Sequence, residues 1–325
     1  MRILVTGGAG YVGSVSVEDL VESGNHVVVL DNLATGHRSA DLAGAELVEG
    51  TYANRAFVAD LLRARRIDAV LHCGARSLVG ESIRDPALYF RENLAGGIAL
   101  LEGMHDAGVT RLVISSTAAT YGVPDASPIA EDAPLLPINP YGESKRGLEA
   151  AAGWFARAYG LRVASLRYFN VAGATEQNGE LHEPETHLIP NALIALEGGP
   201  PLTLFGTDYP TPDGTPIRDY VHVVDLAEAH RIALEATAPG DPRTATHLVC
   251  NLGGGRGSSV REVLDAAEAV VGRPVPHSIG ERREGDPPTL VASIDRARDV
   301  LGWEPRRSSL AEMIGSAWAW RSARS

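Results

Sequence analysis

A chain of 325 residues exceeds one ordinary domain, so more than one structural portion is expected. Its 44% hydrophobic content and mean hydropathy of −0.04 fit a globular protein with a sizeable core. The formal net charge of −12 argues against a general nucleic-acid or anionic-membrane surface, yet leaves room for an anionic small molecule gripped by local arginines. No apolar run approaches the ~20 residues of a membrane span. The first strand-like run follows Met1 directly, which leaves no space for a leader peptide and makes a cytoplasmic chain the expectation. Cys73 and Cys250 each end an apolar run, far apart, and read as buried free thiols.

The opening stretch, MRILVTGGAGYVGSVSVEDLVESGNHVVVLD, predicts a strand at Ile3–Val5, a helix over Ser14–Ser23 ended by Gly24, and a second strand at Val27–Leu30 stopping at Asp31. Gly7 and Gly8 permit a sharp exit from the first strand, Gly10 lets backbone approach a pyrophosphate, and Gly13 lets the helix lie close on the sheet. The helix start offers unpaired N–H groups and the positive end of its dipole. Asp31 stands where a carboxylate accepts hydrogen bonds from both hydroxyls of an adenosine ribose and repels a 2′-phosphate. The pattern therefore calls for NAD rather than NADP.

Further strands are expected at Ala69–Leu71, Leu112–Ile114, Val163–Leu166, Tyr220–Val223 and His247–Leu252, with helices over Arg55–Arg66, Pro86–Ala107, Ser144–Tyr159 and Val224–Ala236. This alternation predicts an α/β fold: a Rossmann-type doubly wound parallel sheet with a smaller, interwoven C-terminal substrate domain. Residues 1–170, with a return segment at about 220–252, would form the NAD-binding domain. Residues 171–325 would be mostly the substrate portion, and 171–217, rich in Gly, Pro, Asn and Thr, reads as ligand-carrying loops.

In NPYGESKRGLE, Tyr141 and Lys145 lie four apart and share a helix face. A tyrosine titrating near 10 needs roughly 4 kcal/mol of help to reach neutrality, at about 1.36 kcal/mol per unit. A nearby ammonium and an oxidised nicotinamide are the cations that can supply it. In LVISSTAATYG, Ser115, Ser116 and Thr117 end a strand, where open α/β sheets collect ligands.

Glycine turn, hydroxyl triplet and Tyr-x-x-x-Lys, in this order, resemble the extended short-chain dehydrogenase/reductase superfamily. VGES (Val79–Ser82), RYFNVAGA (Arg167–Ala174), LFGTDYPTPDGTPIRDYVHVVDLAEAH (Leu204–His230) and RREGDPP (Arg282–Pro288) narrow the likeness to the UDP-glucose 4-epimerase family, over nearly the whole chain. The resemblance implies Tyr141 as general base, Lys145 as its electrostatic partner and nicotinamide-ribose ligand, and Thr117 as the assisting hydroxyl. It implies Gly7, Gly10, Tyr11, Val12 and Gly13 at the NAD pyrophosphate, Asp31 and Asn32 at the adenosine ribose, and Asn93, Ser115 and Tyr168 along the nicotinamide half. For a UDP-sugar it implies Asn170, Leu188, Phe205, Arg218, Arg283 and Asp286; arginines grip diphosphates bidentately and Phe205 can pack on a uracil. It further implies interconversion of UDP-glucose and UDP-galactose through a 4-keto sugar, and a homodimer packed through helices near 90–107 and 145–159.

The sequence departs from that family at three places. Thr51 and Tyr52 follow Glu49-Gly50 where many relatives have Asp at the adenine. The basic residue near the nicotinamide ribose falls on Arg76 or Ser77. Leu290 replaces a bulky tyrosine of some relatives, which predicts tolerance of a larger C2 substituent such as N-acetyl. A dTDP-glucose 4,6-dehydratase needs an Asp-Glu pair where this chain has Ala118 and Ala119. A UDP-glucuronate epimerase needs a cation for the C6 carboxylate; no dedicated one stands beside Asn170, but a loop arginine could serve, so this alternative stays open. A non-catalytic NAD-binding regulator is a further alternative, beside a 4-epimerase of UDP-N-acetylglucosamine or UDP-glucuronate, and such regulators tend to lack the Tyr-x-x-x-Lys pair.

Overall fold

The computed structural model describes residues 1–244, 247–283 and 286–324, so Glu284 and Gly285 of the RREGDPP motif lie outside the described residues. Seven parallel strands form one sheet, in the spatial order His247–Leu252, Arg162–Tyr168, Arg111–Thr117, Ala69–His72, Arg2–Thr6, His26–Asp31, Glu46–Glu49. The inner strands are buried nearly throughout, because helices cover both faces; this is why they read as unbroken apolar runs. Tyr11–Glu22 and Val223–Ala236 pack on one face, and Arg55–Arg65, Gly96–Ala107 and Pro140–Tyr159 on the other. The fold is α/β of the Rossmann-type doubly wound class. Strand order reverses between Arg2–Thr6 and Ala69–His72, and the crevice outside their carboxyl ends is where such sheets hold ligands.

Three helix boundaries differ from the sequence expectation in ways that shape this crevice. The first helix begins at Tyr11 rather than Ser14, so the glycine turn itself is the helix start. The stretch expected as one helix over Pro86–Ala107 is interrupted by a π-helical segment, Phe90–Ala95, whose wider turn carries Asn93 inward. The next helix begins at Pro140, not Ser144. Asn139 caps it by accepting the Gly142 N–H at 2.8 Å, and proline suits the first helical position, so Tyr141 and Lys145 share one rigid helix.

The smaller portion is built from a sheet of Asn170–Ala172, Ile217–His222, Gly257–Ser259 and Thr289–Leu290, a two-stranded pair of Leu202–Phe205 with His277–Gly280, and helices Leu188–Leu196, Val260–Val271 and Leu310–Ser322. Its core includes Ile189, Leu193, Leu204, Tyr220, Val263 and Ile314. The region expected as loops thus contains a helix and a strand, whose apolar faces exist only against partners arriving later in the chain. Among the described residues, no helix is long and apolar enough to cross a membrane.

Candidate active site

The glycine turn is held by contacts that leave no room for side chains. A Cβ on Gly7, whose φ is +70°, would stand 2.5 Å from Gly74, at the end of the neighbouring strand. Gly10 differs: a Cβ there would meet only the Gly7 carbonyl oxygen, at 3.4 Å, so the space above it is open to a ligand. Gly10 also gives the Tyr11–Glu22 helix no side-chain cap, and the first-turn N–H groups have no partner within the helix. Beside this turn, the buried Asp31 carboxylate accepts the Ala9 N–H at 3.0 Å and the Leu33 N–H at 2.8 Å. Asn32 is exposed and accepts the Ala34 N–H. Uncapped helix, bare glycine and fixed carboxylate together fit a dinucleotide.

Three residues of the expected cofactor set use their side chains elsewhere. The Tyr11 hydroxyl donates to the Gly173 carbonyl at 2.6 Å, leaving its backbone N–H as what it can offer a pyrophosphate. Val12 packs into the apolar clusters on the same helix face. Asn93 is fully committed: its Oδ1 accepts the Arg76 N–H at 2.8 Å, and its Nδ2 donates to Arg76 O at 2.9 Å and Ser144 Oγ at 3.1 Å. It holds the loop after Ala69–His72 in place. Thr51 Oγ1 accepts the Ala53 N–H, while the Tyr52 ring packs over Gly74 and Gly96 and meets His72 edge-on at 4.9 Å.

At the end of the Arg111–Thr117 strand, the Thr117 hydroxyl lies near that of Tyr141, and its oxygen is oriented by the Ala119 N–H at 3.1 Å. Lys145 is buried beneath, with Nζ donating to the Ser115 carbonyl at 2.8 Å. Ser115 Oγ touches the Tyr168 hydroxyl, since Thr117 and Tyr168 stand in register on adjacent strands. Burial holds the Lys145 ammonium down to about 8. Burial raises the Tyr141 hydroxyl above its ordinary value, and the nearby Thr117 hydroxyl opposes this. One N–H of the Lys145 ammonium is engaged with the Ser115 carbonyl, which fixes its charge beneath the strand end, and the Thr117 hydroxyl also favours the phenolate.

The residues expected at a nucleotide sugar also converge. Arg218, on Ile217–His222, donates from Nη2 to Asp286 Oδ1 at 2.6 Å, while the Tyr209 hydroxyl donates to Asp286 Oδ2 at 2.9 Å. Arg283 lies over the Phe205 ring at 4.1 Å, and Phe205 is 37% exposed. Asn170 donates to the Asp219 carbonyl at 2.9 Å, so it sits where Asn170–Ala172 joins Ile217–His222, two residues beyond Tyr168. Leu290 stands in register with Arg218. Leu188 begins the Leu188–Leu196 helix and packs against the smaller core.

Sequence reading missed the buried network behind this site. The Arg167 and Glu149 side chains form an ion pair, 2.6 Å apart and each 5% exposed, joined by Ser116 and by the Tyr121 hydroxyl at 2.9 Å. Ser116 thus points into the core, away from Thr117, as alternation along a strand requires. The two charged residues lay in motifs already singled out, but only packing brings them together.

Fold and site define a nicotinamide-dependent protein of the doubly wound class. The model of the NAD dependent epimerase/dehydratase family matches residues 3–252. A UDP-glucose 4-epimerase of Streptococcus mutans is 50% identical over 328 residues, covering 99% of this chain and 97% of that protein. The crystal structure of UDP-glucose 4-epimerase from Brucella ovis in complex with NAD superposes with a TM-score of 0.93 at 43% identity, covering 98% of this chain and 97% of that one. The enzyme from Stenotrophomonas maltophila, with bound NAD and formylated UDP-arabinopyranose, gives 0.94 at 40% identity, covering 100% and 98%. The chain belongs to the NAD-dependent epimerase/dehydratase family, and within it to the UDP-glucose 4-epimerases.

Proposed function

We propose that this chain interconverts UDP-glucose and UDP-galactose by inverting C4, with NAD as its cofactor. The observation that carries the reading is the grouping of Tyr141, Thr117 and buried Lys145, whose ammonium is fixed on the Ser115 carbonyl, at the carboxyl end of the Arg111–Thr117 strand by the dinucleotide crevice. Gly7, Gly10, Gly13 and the Tyr11 and Val12 backbone would hold the pyrophosphate, with Asp31 and Asn32 at the ribose. When bound, NAD supplies reversible hydride acceptance at the sugar's C4.

Tyr141 accepts the C4 hydroxyl proton and later returns it to the opposite face; Thr117 bridges phenol and sugar hydroxyl. Lys145 orders the strand end and places positive charge beneath it, while Ser115 and Tyr168 line the same wall. Arg218 and Arg283 hold the diphosphate, Phe205 packs beside the uracil, and Asp286 keeps Arg218 in place. Asn170 and Leu188 complete the wall of the sugar pocket. Anchoring on the UDP moiety leaves the oxidised sugar free to turn between the two proton transfers. Leu290, opposite Arg218, supports acceptance of a 2-acetamido sugar as well.

A homodimer through the 90–107 and 145–159 helices is supported by exposed Phe90, Trp154 and Tyr159, and two free cysteines support a cytoplasmic setting. The test is incubation of the purified protein with UDP-glucose, without added cofactor. UDP-galactose is expected from the native chain and not from Tyr141→Phe; full turnover by that variant removes the reading.

A further inference from the structure

We propose that Glu180, His182, Glu185 and His187 bind a divalent transition-metal ion of the zinc type, which fastens the loop between the dinucleotide turn and the substrate-side helix. The segment reads ELHEPETH, with three carboxylates and two imidazoles in eight residues; Glu180, Glu185 and the two histidines face one another. The loop folds back so that one ligand atom from each of the four lies within 4.8 Å of the others. The nearest approaches include His187 Nδ1 to Glu185 Oε1 at 2.8 Å and to Glu180 Oε2 at 3.9 Å, and the two imidazole rings stand 5.4 Å apart. Donors at about 2.0–2.2 Å from a tetrahedral zinc lie a little over 3 Å from one another, so a small contraction of the group completes the shell.

A second observation points to a ligand. Glu180 and Glu185 are only 9% and 8% exposed, two carboxylates side by side in a buried place. Glu180 Oε1 and His182 Nδ1 are in ion-pair contact with each other, and neither atom has a further hydrogen-bond partner. Both atoms sit within the group of four and satisfy only each other, which leaves their remaining capacity directed at a common point. Glu185 is already oriented as a ligand would be, because its Oε1 accepts the Thr186 and His187 N–H groups, each at 2.7 Å. Two imidazole nitrogens with two carboxylate oxygens suit zinc and its neighbours rather than magnesium or calcium, and the dication neutralises the two carboxylates.

The position makes the ion consequential. His187 immediately precedes Leu188, the first residue of the substrate-side helix. At its other end the loop is tied to the segment that follows the His26–Asp31 strand: the His37 ring meets the Leu181 carbonyl at 3.0 Å, and Asn178 exchanges hydrogen bonds with the Asp41 backbone at 3.0 and 2.9 Å. His182 lines the cavity over Gly10 and Tyr11. An ion here links cofactor wall to substrate wall.

The test uses untagged, NAD-loaded protein stripped with a chelator and then exposed to Zn2+ alone. About one Zn2+ per chain is expected to survive gel filtration, with a rise in Tm on adding metal. The paired substitution His182→Gln with His187→Gln should abolish both. Co2+ in place of zinc should give visible d–d bands without a sulfur-to-metal charge-transfer band. No retained zinc and no Tm shift in the native chain would overturn the proposal and leave a glutamate–histidine ion-pair network. Undiminished retention by the paired variant, or a sulfur band, would place the metal elsewhere and overturn it equally.

Discussion

A Cβ built on Gly13 would stand 2.1 Å from the Gly7 carbonyl oxygen, so the start of the first helix rests directly on the turn that feeds it. Gly13→Ala should cost about 3 kcal/mol or more, since backbone must move to admit the methyl. Gly10→Ala should leave Tm unchanged or slightly raised, because φ is −86° and the protein contact is ordinary, yet weaken NAD retention at least tenfold. Chemical denaturation and cofactor content after gel filtration check the pair. Equal NAD retention by Gly10→Ala and the native chain would remove the pyrophosphate from that place.

Tyr141→Phe should lower turnover about 10²–10⁴-fold with NAD still bound. Thr117→Val keeps the shape and removes the hydroxyl that favours the phenolate. It should lower turnover about tenfold, worth about 1.4 kcal/mol, and move the acid limb of the rate profile to higher pH. A profile that stays in place while the rate falls would assign Thr117 to packing alone.

Arg218 and Asp286 are 68 residues apart and joined at 2.6 Å. Arg218→Ala and Arg283→Ala should each raise the UDP-sugar KM about 10–100-fold, in line with about 1.5–3 kcal/mol for a charged hydrogen bond. Asp286→Asn should show a smaller rise, since it acts by holding Arg218. Inhibition by UDP, weakened in the same order, provides an independent measurement.

His72, His222 and His230 are buried and held neutral, down to about 3, 4 and 3, by burial above all. Their unfolded-state value near 6.5 lies above these, so the unfolded chain binds three protons that the folded chain refuses. The stability they contribute is present above pH 6.5 and lost as pH falls toward 4. Around pH 5 the slope should reach about 4 kcal/mol per pH unit, at about 1.36 kcal/mol per proton. Urea unfolding at a series of pH values checks this, and His230→Gln should remove about one third of the slope.

Leu290 stands opposite Arg218 in the strand pairing. We expect the native chain to turn over UDP-N-acetylglucosamine, and Leu290→Tyr to depress that activity at least tenfold while sparing UDP-glucose. Absence of any turnover on the acetylated sugar by the native chain would count against a roomy C2 wall.

Much of this protein was legible in the sequence because the controlling physics is local. Apolar runs bounded by turns marked the five inner strands, the spacing of Gly7, Gly10 and Gly13 marked the helix start, and a four-residue interval put Tyr141 and Lys145 on one face. Tertiary structure alone decided the rest. It turned Asn93 inward through a π-helical step, gave Lys145 the Ser115 carbonyl as its partner, and drew Tyr11 to Gly173, 162 residues away. The helix Leu188–Leu196 was hidden because its apolar face is matched by segments near Val263 and Ile314, more than sixty residues further on. Local sterics and periodicity act within a turn or two of chain and can be read from spacing. Which distant side chains meet is set by strand register and core packing, and no spacing records that.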